Sequence, residues 1–240
     1  MKQYLGRVSE NKLLWADAQQ ISFDAPELAR TLRPGQCALI RDPASFDPYL
    51  RRVAWLYAIG DARVSFTLSA RDPLVARTRV GDELDLLAPF GRALELDPNT
   101  RRVALLGEDT HIARLIALAH RAVAQGRAVV LAHNARAEMF PAYLLAPEIE
   151  LRADAFDAEL LTWADAIVAS GSDKFYRALA DALRATRYRL EPGFARVLIE
   201  VAMPCGTGAC YACALDTARG IRRVCVDGPL FDLTQLELAR

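Results

Sequence analysis

The sequence has little of several features that usually reveal a function. Only five of its 240 residues are cysteines and three are histidines, and 30 basic residues balance 30 acidic ones. Because the formal net charge is zero, no global attraction to nucleic acid or to an anionic membrane is expected. The sequence also lacks a Ser/His/Asp order, an HExxH motif and a P-loop. Hydrolase and phosphoryl-transfer chemistry therefore have no support, and we predict no catalytic residue.

Long apolar runs are also missing. The first residues, Met-Lys-Gln-Tyr-Leu-Gly-Arg, lack the apolar stretch of a signal peptide, and no segment approaches the length of a membrane span. We therefore expect a cytoplasmic protein, in a reducing compartment where thiols stay free to bind metal. The content of 52% hydrophobic and 25% charged residues is ordinary for a globular protein.

Four of the five cysteines lie in one short stretch. Cys205, Cys210, Cys213 and Cys225 have the spacing C-x4-C-x2-C-x11-C, and the fifth, Cys37, stands alone in a strand-like run as a buried small hydrophobe. The spacing is that of plant-type proteins in which four thiolates hold a [2Fe–2S] cluster. Gly206 and Gly208 suit a loop around a cluster, because glycine allows positive φ and lets backbone N–H groups turn toward sulfur. Together with Ala209, they are predicted to donate backbone hydrogen bonds to the sulfur atoms of the cluster.

Three other interpretations of these cysteines compete. A disulfide pair is disfavoured because nothing in the sequence indicates secretion. A structural zinc site also uses four cysteines, but usually as two separated C-x2-C pairs, whereas three of these cluster and one stands apart. Ordinary core cysteines would seldom concentrate within about twenty residues. The cluster is favoured, with zinc as the main alternative.

The first 97 or so residues have the pattern of a small β-barrel. Short alternating or apolar runs are separated by turn signals such as Arg33-Pro-Gly35 and Gly81-Asp82, with strands expected at 38–41, 53–59, 64–68 and 83–87. From Arg101 the period changes: strands at 103–106, 128–132, 166–169 and 197–201 alternate with helices at 112–123 and 173–185. This order predicts a parallel, doubly wound sheet.

The barrel, the α/β domain and the four-cysteine segment together resemble one known family. The carrying residues are in the segments 200–213 and 223–231, with Arg33-Pro-Gly-Gln36, Asp47-Pro-Tyr-Leu-Arg-Arg52 and Gly81-Asp-Glu-Leu-Asp85. The chain is similar to the electron-transfer subunits of type B dihydroorotate dehydrogenase, an enzyme of pyrimidine biosynthesis, within the ferredoxin–NADP reductase-like flavoproteins. The similarity covers nearly the whole chain and is most specific in the cysteine segment.

The resemblance implies a fold, cofactors and a partner. It implies a FAD-binding-type β-barrel over residues 1–98, an NAD-binding-type α/β domain over 99–196 and an iron–sulfur segment over 197–240. Subunits of this family bind FAD, take electrons from NADH, and pass them through the cluster to a catalytic flavoprotein subunit, which implies a hetero-oligomer. A one-electron cluster beside a two-electron flavin suits such a relay.

The sequence departs from the family at the flavin loops. Where the family has proline, a variable residue and Ser or Thr after its doubled arginine, this chain follows Arg52 with Val53-Ala54-Trp55. Where the family has a glycine-rich loop, this chain has Ser69-Ala-Arg71-Asp72, which blocks close backbone approach and brings a carboxylate near phosphate. Arg52 could still pair with a phosphate. These six positions (Arg52, Val53, Ala54, Trp55, Arg71 and Asp72) leave FAD binding open.

The dinucleotide loop departs further. The family's Gly-Gly-Gly-Ile-Gly-Ile turn is Gly107-Glu-Asp-Thr110-His-Ile112 here, and Gly171 is the one glycine of the second loop. Asp109 is a suitable N-cap and Glu108 suits the helix dipole, but both carboxylates oppose phosphate. NAD is therefore not expected.

Two functions remain open at the level of sequence. One is an electron relay with or without FAD, in which Tyr211 and Ala212 form the exposed rim where a partner docks. The other is a binding or regulatory module that keeps its cluster but has lost nucleotide chemistry. His111, His120 and His133 are expected to be solvated or core residues, with modest interest in His133 at a strand end.

Overall fold

The structure is a computed structural model that describes residues 1–134 and 140–237. The chain divides into two compact units. The barrel unit comprises Met1–Leu94, Glu200–Ala214 and Arg223–Pro229. The sheet unit comprises Glu95–Ile199, Leu215–Arg222 and the chain from Leu230 onward. The division into 1–98, 99–196 and 197–240 stays a prediction.

Six antiparallel strands close the barrel. They are β1 (Lys2–Trp15), β2 (Ala18–Asp24), β3 (Cys37–Arg41), β4 (Arg52–Ile59), β5 (Arg63–Ser69) and β6 (Glu83–Phe90), in the order β1-β2-β5-β4-β3-β6. Two short helices, α1 (Pro26–Thr31) and α2 (Pro73–Arg77), lie between strands in the sequence. The last four strands were predicted within a few residues. The first two were not, and for β1 the reason is that only three of its 14 residues are buried, so the strand shows no apolar run.

The barrel core is apolar, with one buried carboxylate. Phe23 and Phe66 meet edge to face with ring centroids 6.2 Å apart. Asp85 on β6 is almost fully buried, accepts a hydrogen bond of 2.9 Å from Arg41 Nε, and is also paired with Arg51. A buried carboxylate is stable when its charge is matched. Arg51 therefore serves the barrel itself.

The sheet unit is built on β7 (Arg102–Gly107), β8 (Ala128–His133), β9 (Ile149–Arg152), β10 (Ala166–Ser170), β11 (Ala195–Leu198) and β14 (Leu230–Asp232). The order is β14-β11-β10-β7-β8-β9, and only β14 is antiparallel to its neighbour. Helices α3 (Ile116–Ala124), α4 (Ala158–Trp163) and α5 (Asp173–Thr186) connect the strands. The predicted parallel, doubly wound sheet is confirmed.

The predicted helix over 112–123 is present, but its start differs from the prediction in two ways. The helix expected over 112–123 begins as a 3₁₀ helix (Asp109–Leu115) before α3. Asp109 is not its N-cap: that position is held by Glu108, and Asp109 has φ of 45°. The reason is that the Glu108 side chain bonds to another loop rather than to its own helix.

The cysteine segment contains a small hairpin, β12 (Ala214–Leu215) and β13 (Arg222–Arg223), followed by the helical turn α6 (Val224–Asp227). The excursion between the third and fourth cysteines is thus a hairpin. No helix in the described ranges is both long and apolar enough to span a membrane.

Gly6 offers a test of packing in the barrel. A Cβ added there would lie 2.6 Å from Leu86 Cδ1 and 3.0 Å from Phe23 Cδ1, and both of those side chains are fully buried. Gly6→Ala should lower the free energy of unfolding by about 1–3 kcal/mol through overpacking, measured by urea denaturation. Gly60→Ala is the matched control, because its nearest contact would be an ordinary 3.6 Å. Equal stability of the two variants would contradict this account of the core.

Candidate metal centre

Four thiols of the barrel unit lie in two close pairs. Cys205 Sγ and Cys210 Sγ are 3.2 Å apart, and Cys213 Sγ and Cys225 Sγ are 3.3 Å apart. These separations are well beyond the disulfide length of about 2.05 Å. All five cysteines are free, so the disulfide alternative has no support in the structure. We call Cys205 and Cys210 the outer pair and Cys213 and Cys225 the inner pair, since Cys210 is exposed and the inner two are buried.

Two glycines allow the loop of the outer pair to fold. Gly206 and Gly208 have φ of 65° and 78°, a region that glycine occupies without steric cost. They also sit where a side chain would collide, because an added Cβ would lie 2.7 Å from Leu39 Cδ1 at Gly206 and 2.8 Å from Val226 Cγ2 at Gly208. The predicted use of positive φ at these positions is confirmed.

The inner pair is positioned by the hairpin and α6. Val224 N donates to Cys213 O over 3.0 Å, which brings the fourth cysteine back to the third. Arg223 N donates to Asp227 Oδ2 over 2.9 Å and holds the start of α6. Gly228 O accepts from Arg92 N, which ties the end of the segment to the chain after β6. The segment is thus hydrogen-bonded into its unit on both sides of Cys225.

Backbone and hydroxyl donors act on the sulfurs. Burial opposes ionisation of Cys205, but the N–H of Cys210, the hydroxyl and N–H of Thr207 and the Cys210 thiol together lower its pKa to about 6. Burial raises the pKa of Cys225 to about 12, with the Cys213 sulfur adding to the effect and the N–H of Gly208 opposing it. Gly208 was a predicted donor, whereas no sequence pattern indicated that Thr207 and Cys210 would donate to a neighbouring sulfur. For Gly206 and Ala209 the donor role stays a prediction.

The pairing discriminates between the metals that four thiolates could hold. Zinc in a structural site draws all its ligands around one ion. A two-iron cluster bound by four cysteines has two iron atoms to share them, so two separate pairs are what it requires. The donor set, its spacing and its amide donors therefore fit a [2Fe–2S] cluster better than zinc.

The surface beside the outer pair carries an aromatic residue in an unusual conformation. Tyr211 is 60% exposed and has φ of 57°, which is uncommon for a residue with a bulky side chain. The Arg223 guanidinium lies 5.5 Å from its ring centroid and also donates to Gly208 O over 3.3 Å. Tyr211 and Ala212 are both exposed, as expected for the rim between two ligands.

The residues predicted to contact FAD are arranged around an internal ion pair. Arg52 Nε lies 3.1 Å from Asp72 Oδ2, and Asp72 also caps α2 by accepting from Leu74 N over 2.9 Å. Trp55 and Ala54 are buried in the barrel wall, Val53 is half-buried, and the side chain of Arg71 is almost fully exposed. A flavin phosphate at Arg52 would therefore share the guanidinium with the Asp72 carboxylate, a charge of the same sign as the phosphate, which opposes its binding.

The dinucleotide-type loop is also engaged internally. Gly107 packs closely on Ile112, since an added Cβ would lie 2.9 Å from Ile112 Cα. Glu108 Oε2 accepts from Ser172 N over 2.7 Å, next to Gly171. Thr110 lies in the 3₁₀ helix rather than in a phosphate-binding turn. The structure brings the loops of Gly107 and Gly171 together, but a carboxylate stands between them.

The three histidines form no cluster among the described residues. His111 Nδ1 lies 3.0 Å from Glu108 O. His120 is half-buried, and burial lowers its pKa. His133 is buried at the end of β8, with its ring centroid 5.6 Å from that of Phe140.

Comparison with known proteins agrees with this geometry. Residues 200–237 match the family model of the iron–sulfur cluster binding domain of dihydroorotate dehydrogenase B. The electron-transfer subunit of dihydroorotate dehydrogenase B (NAD(+)) from Shouchella clausii is 26% identical, over 92% of this chain and 93% of that protein.

Solved structures show the same fold. A chain of NADH-dependent reduced ferredoxin–NADP oxidoreductase, a protein of flavin-based electron bifurcation, superposes with a TM-score of 0.78 at 19% identity, covering 98% of this chain and 90% of that one. Phthalate dioxygenase reductase, which transfers electrons from pyridine nucleotides to [2Fe–2S], superposes with a TM-score of 0.64 at 14% identity, covering 93% and 94%. The predicted resemblance to the electron-transfer subunits of dihydroorotate dehydrogenase B, with a reductase-like fold, is confirmed.

Proposed function

We propose that this protein is the electron-transfer subunit of an oxidoreductase, and that it relays electrons through a [2Fe–2S] cluster to or from a partner flavoenzyme of the dihydroorotate dehydrogenase type. One observation carries the proposal: four free thiols lie in two pairs inside the segment that matches the iron–sulfur domain. The curated relative named above is an electron-transfer subunit, which supports a catalytic flavoprotein subunit as the partner in a hetero-oligomer.

The ligands in this proposal are Cys205, Cys210, Cys213 and Cys225, each of which must lose its proton to bind iron. A bound cluster supplies one-electron transfer at a potential set by hydrogen bonds to sulfur and by exposure. Donors from Thr207, Gly208 and Cys210 stabilise negative charge on the sulfurs. The outer pair lies at the surface beside Tyr211, where a partner could approach, while burial shields the inner pair from water.

FAD is the second cofactor that the resemblance implies. A FAD phosphate bound at Arg52 would compete with the Asp72 carboxylate for the same guanidinium. The alternative function, a regulatory module that keeps the cluster without nucleotide chemistry, is favoured by this ion pair. We also propose a cytoplasmic location, since exposed thiols such as Cys210 stay reduced there.

Iron, sulfide and flavin content of protein purified without air separates these functions. A relay subunit should contain two irons and two sulfides per chain by the definition of the cluster, with flavin as a third component. Cluster without flavin, and no reduction of the cluster by a partner flavoenzyme, would favour the regulatory module. Zinc in place of iron would reject both.

Cys210→Ser tests the ligand assignment. Loss of one outer thiolate should abolish most of the cluster's visible absorption and reduce iron content, because a [2Fe–2S] cluster is held by four ligands. The barrel should remain folded, as monitored by far-ultraviolet circular dichroism. Cys37→Ala is the control: it also removes a thiol, but one buried in β3, and should keep a full complement of iron. An unchanged spectrum for Cys210→Ser would contradict the assignment.

Gly208→Ala tests the loop that carries the amide donor. The substitution has two unfavourable effects. Alanine is strained by about 1 kcal/mol in the left-handed backbone conformation of this position, and its Cβ would clash with Val226 Cγ2. Gly220→Ala isolates the strain, since Gly220 has φ of 85° and no atom within 4 Å of the added Cβ. Iron retention at increasing chelator concentration should fall for Gly208→Ala and stay near wild type for Gly220→Ala. Equal losses would assign the effect to strain alone.

Asp72→Asn tests the ion pair at the flavin loop. Asparagine keeps the N-cap of α2 but removes the counter-charge of Arg52. FAD affinity, titrated by flavin fluorescence, should tighten about threefold to tenfold, the equivalent of about 1 kcal/mol for a partly exposed pair. Asp24→Asn is the control, because it breaks an exposed ion pair of the same unit, 3.2 Å from Arg63 Nε, that involves none of the candidate flavin positions. No gain for Asp72→Asn would show that this pair does not limit flavin binding.

A further inference from the structure

The sheet unit has one place where its topology favours a ligand. From β7 the chain continues to β8 and β9 on one side, and then crosses to β10 and β11 on the other. In such sheets ligands bind outside the carboxyl ends of the strands, where the order reverses. That switch point lies between β7 and β10, whose last residues, Gly107 and Ser170, are paired in register. Any dinucleotide site of this unit is therefore expected between the loops that follow these two strands.

Glu108 bridges the two loops at this switch point. Its backbone N–H donates to Ser170 O over 2.9 Å, and its carboxylate Oε2 accepts from Ser172 N over 2.7 Å. The two loops are in contact beside this bond, since a Cβ added to Gly171 would lie 2.9 Å from Glu108 Cβ. One residue thus joins the end of β7 to the start of α5 through both its main chain and its side chain.

Two more amide donors at the start of α5, those of Gly171 and Phe175, are also used within the sheet unit. Gly171 N donates to Tyr176 Oη over 2.9 Å, and the Tyr176 hydroxyl in turn donates to Leu198 O. Phe175 N donates to the Ser172 hydroxyl over 3.3 Å as the N-cap bond. Three amide groups at this helix N-terminus, those of Gly171, Ser172 and Phe175, therefore already have acceptors.

The electrostatics favour the internal carboxylate over an incoming phosphate. Helix α5 has 14 residues, and a negative charge at its amino end is stabilised by the helix dipole. Glu108 provides that charge without the entropic cost of binding a separate molecule. A pyrophosphate placed here would lose the amide of Ser172 and face a carboxylate of the same sign.

We infer that Glu108 is an internal substitute for the phosphate of a pyridine dinucleotide, and that it closes the switch-point crevice so that the sheet unit does not take NAD(H). The residues therefore do not fit the dinucleotide that the fold family implies. Electrons enter this protein from a redox centre other than a nicotinamide bound at this crevice. The inference concerns the sheet unit and stands whether or not the four thiols hold a cluster.

Titration of the whole purified protein with NADH, followed by nucleotide fluorescence, tests the inference. Glu108→Ala should bind NADH at least about tenfold more tightly than wild type, because it removes both the charge and the occupant of the Ser172 amide. Glu108→Gln should fall between the two, since glutamine can keep the hydrogen bond but not the charge. Asp109→Asn is the control: it removes a neighbouring carboxylate from the same loop and should stay within about twofold of wild type.

Thermal unfolding provides a second readout that does not need NADH. Glu108→Ala should lower the melting temperature more than Glu108→Gln, because only alanine breaks the bridge to Ser172. If Glu108→Ala does not fold, the gain in NADH affinity is measured on Glu108→Gln instead. The inference then requires this variant to bind NADH about threefold more tightly than wild type. A smaller gain in the folded variant, or an equal gain for Asp109→Asn, overturns the inference. Iron content should be unchanged in all variants, which separates failure here from failure of the proposed relay.

Discussion

The convergence of four thiols from one short segment is the constraint on which the function depends. The sulfurs can pair only if the loop between Cys205 and Cys210 turns tightly and the hairpin returns Cys225 to Cys213. Left-handed glycines meet the first requirement, and the bond from Val224 N to Cys213 O meets the second. Packing of this segment against barrel side chains such as Leu39 then fixes the outer pair near the surface and the inner pair in the interior.

In both units, a carboxylate of the protein occupies a position where a nucleotide phosphate would be expected to bind. In each, a carboxylate of the protein takes an electrostatic partner that a nucleotide phosphate would use: Asp72 pairs with Arg52, and Glu108 accepts from the amide of Ser172. Each carboxylate also supports local structure, since Asp72 caps α2 and Glu108 joins two loops. The chain thus has a reductase-like fold in which Arg52 and the Ser172 amide, two groups that could bind a nucleotide phosphate, already interact with carboxylates of the protein.

The sequence predicted the fold class and the cysteine cluster because both depend on local patterns. The spacing of the cysteines can be read from the sequence without knowing how the surrounding strands pair. Strands β3 to β6 are bounded by clear turn residues. Strand β1 escaped prediction because only three of its 14 residues are buried and because one of its two partner strands, β6, lies far away in the sequence, which a local pattern cannot show. The roles of Glu108 and Asp109 could not be separated for the same reason: the deciding contact, Ser172, is 64 residues away.

Neither compact unit is made from one continuous length of chain. The final stretch passes from the barrel unit to the sheet unit at 214/215, returns at 222/223 and leaves again at 229/230. Residues after 199 therefore supply the barrel unit with all four paired thiols and the sheet unit with its edge strand β14. During synthesis on the ribosome, neither unit can be completed until the chain beyond residue 199 has been made, so the two units are finished together rather than one after the other.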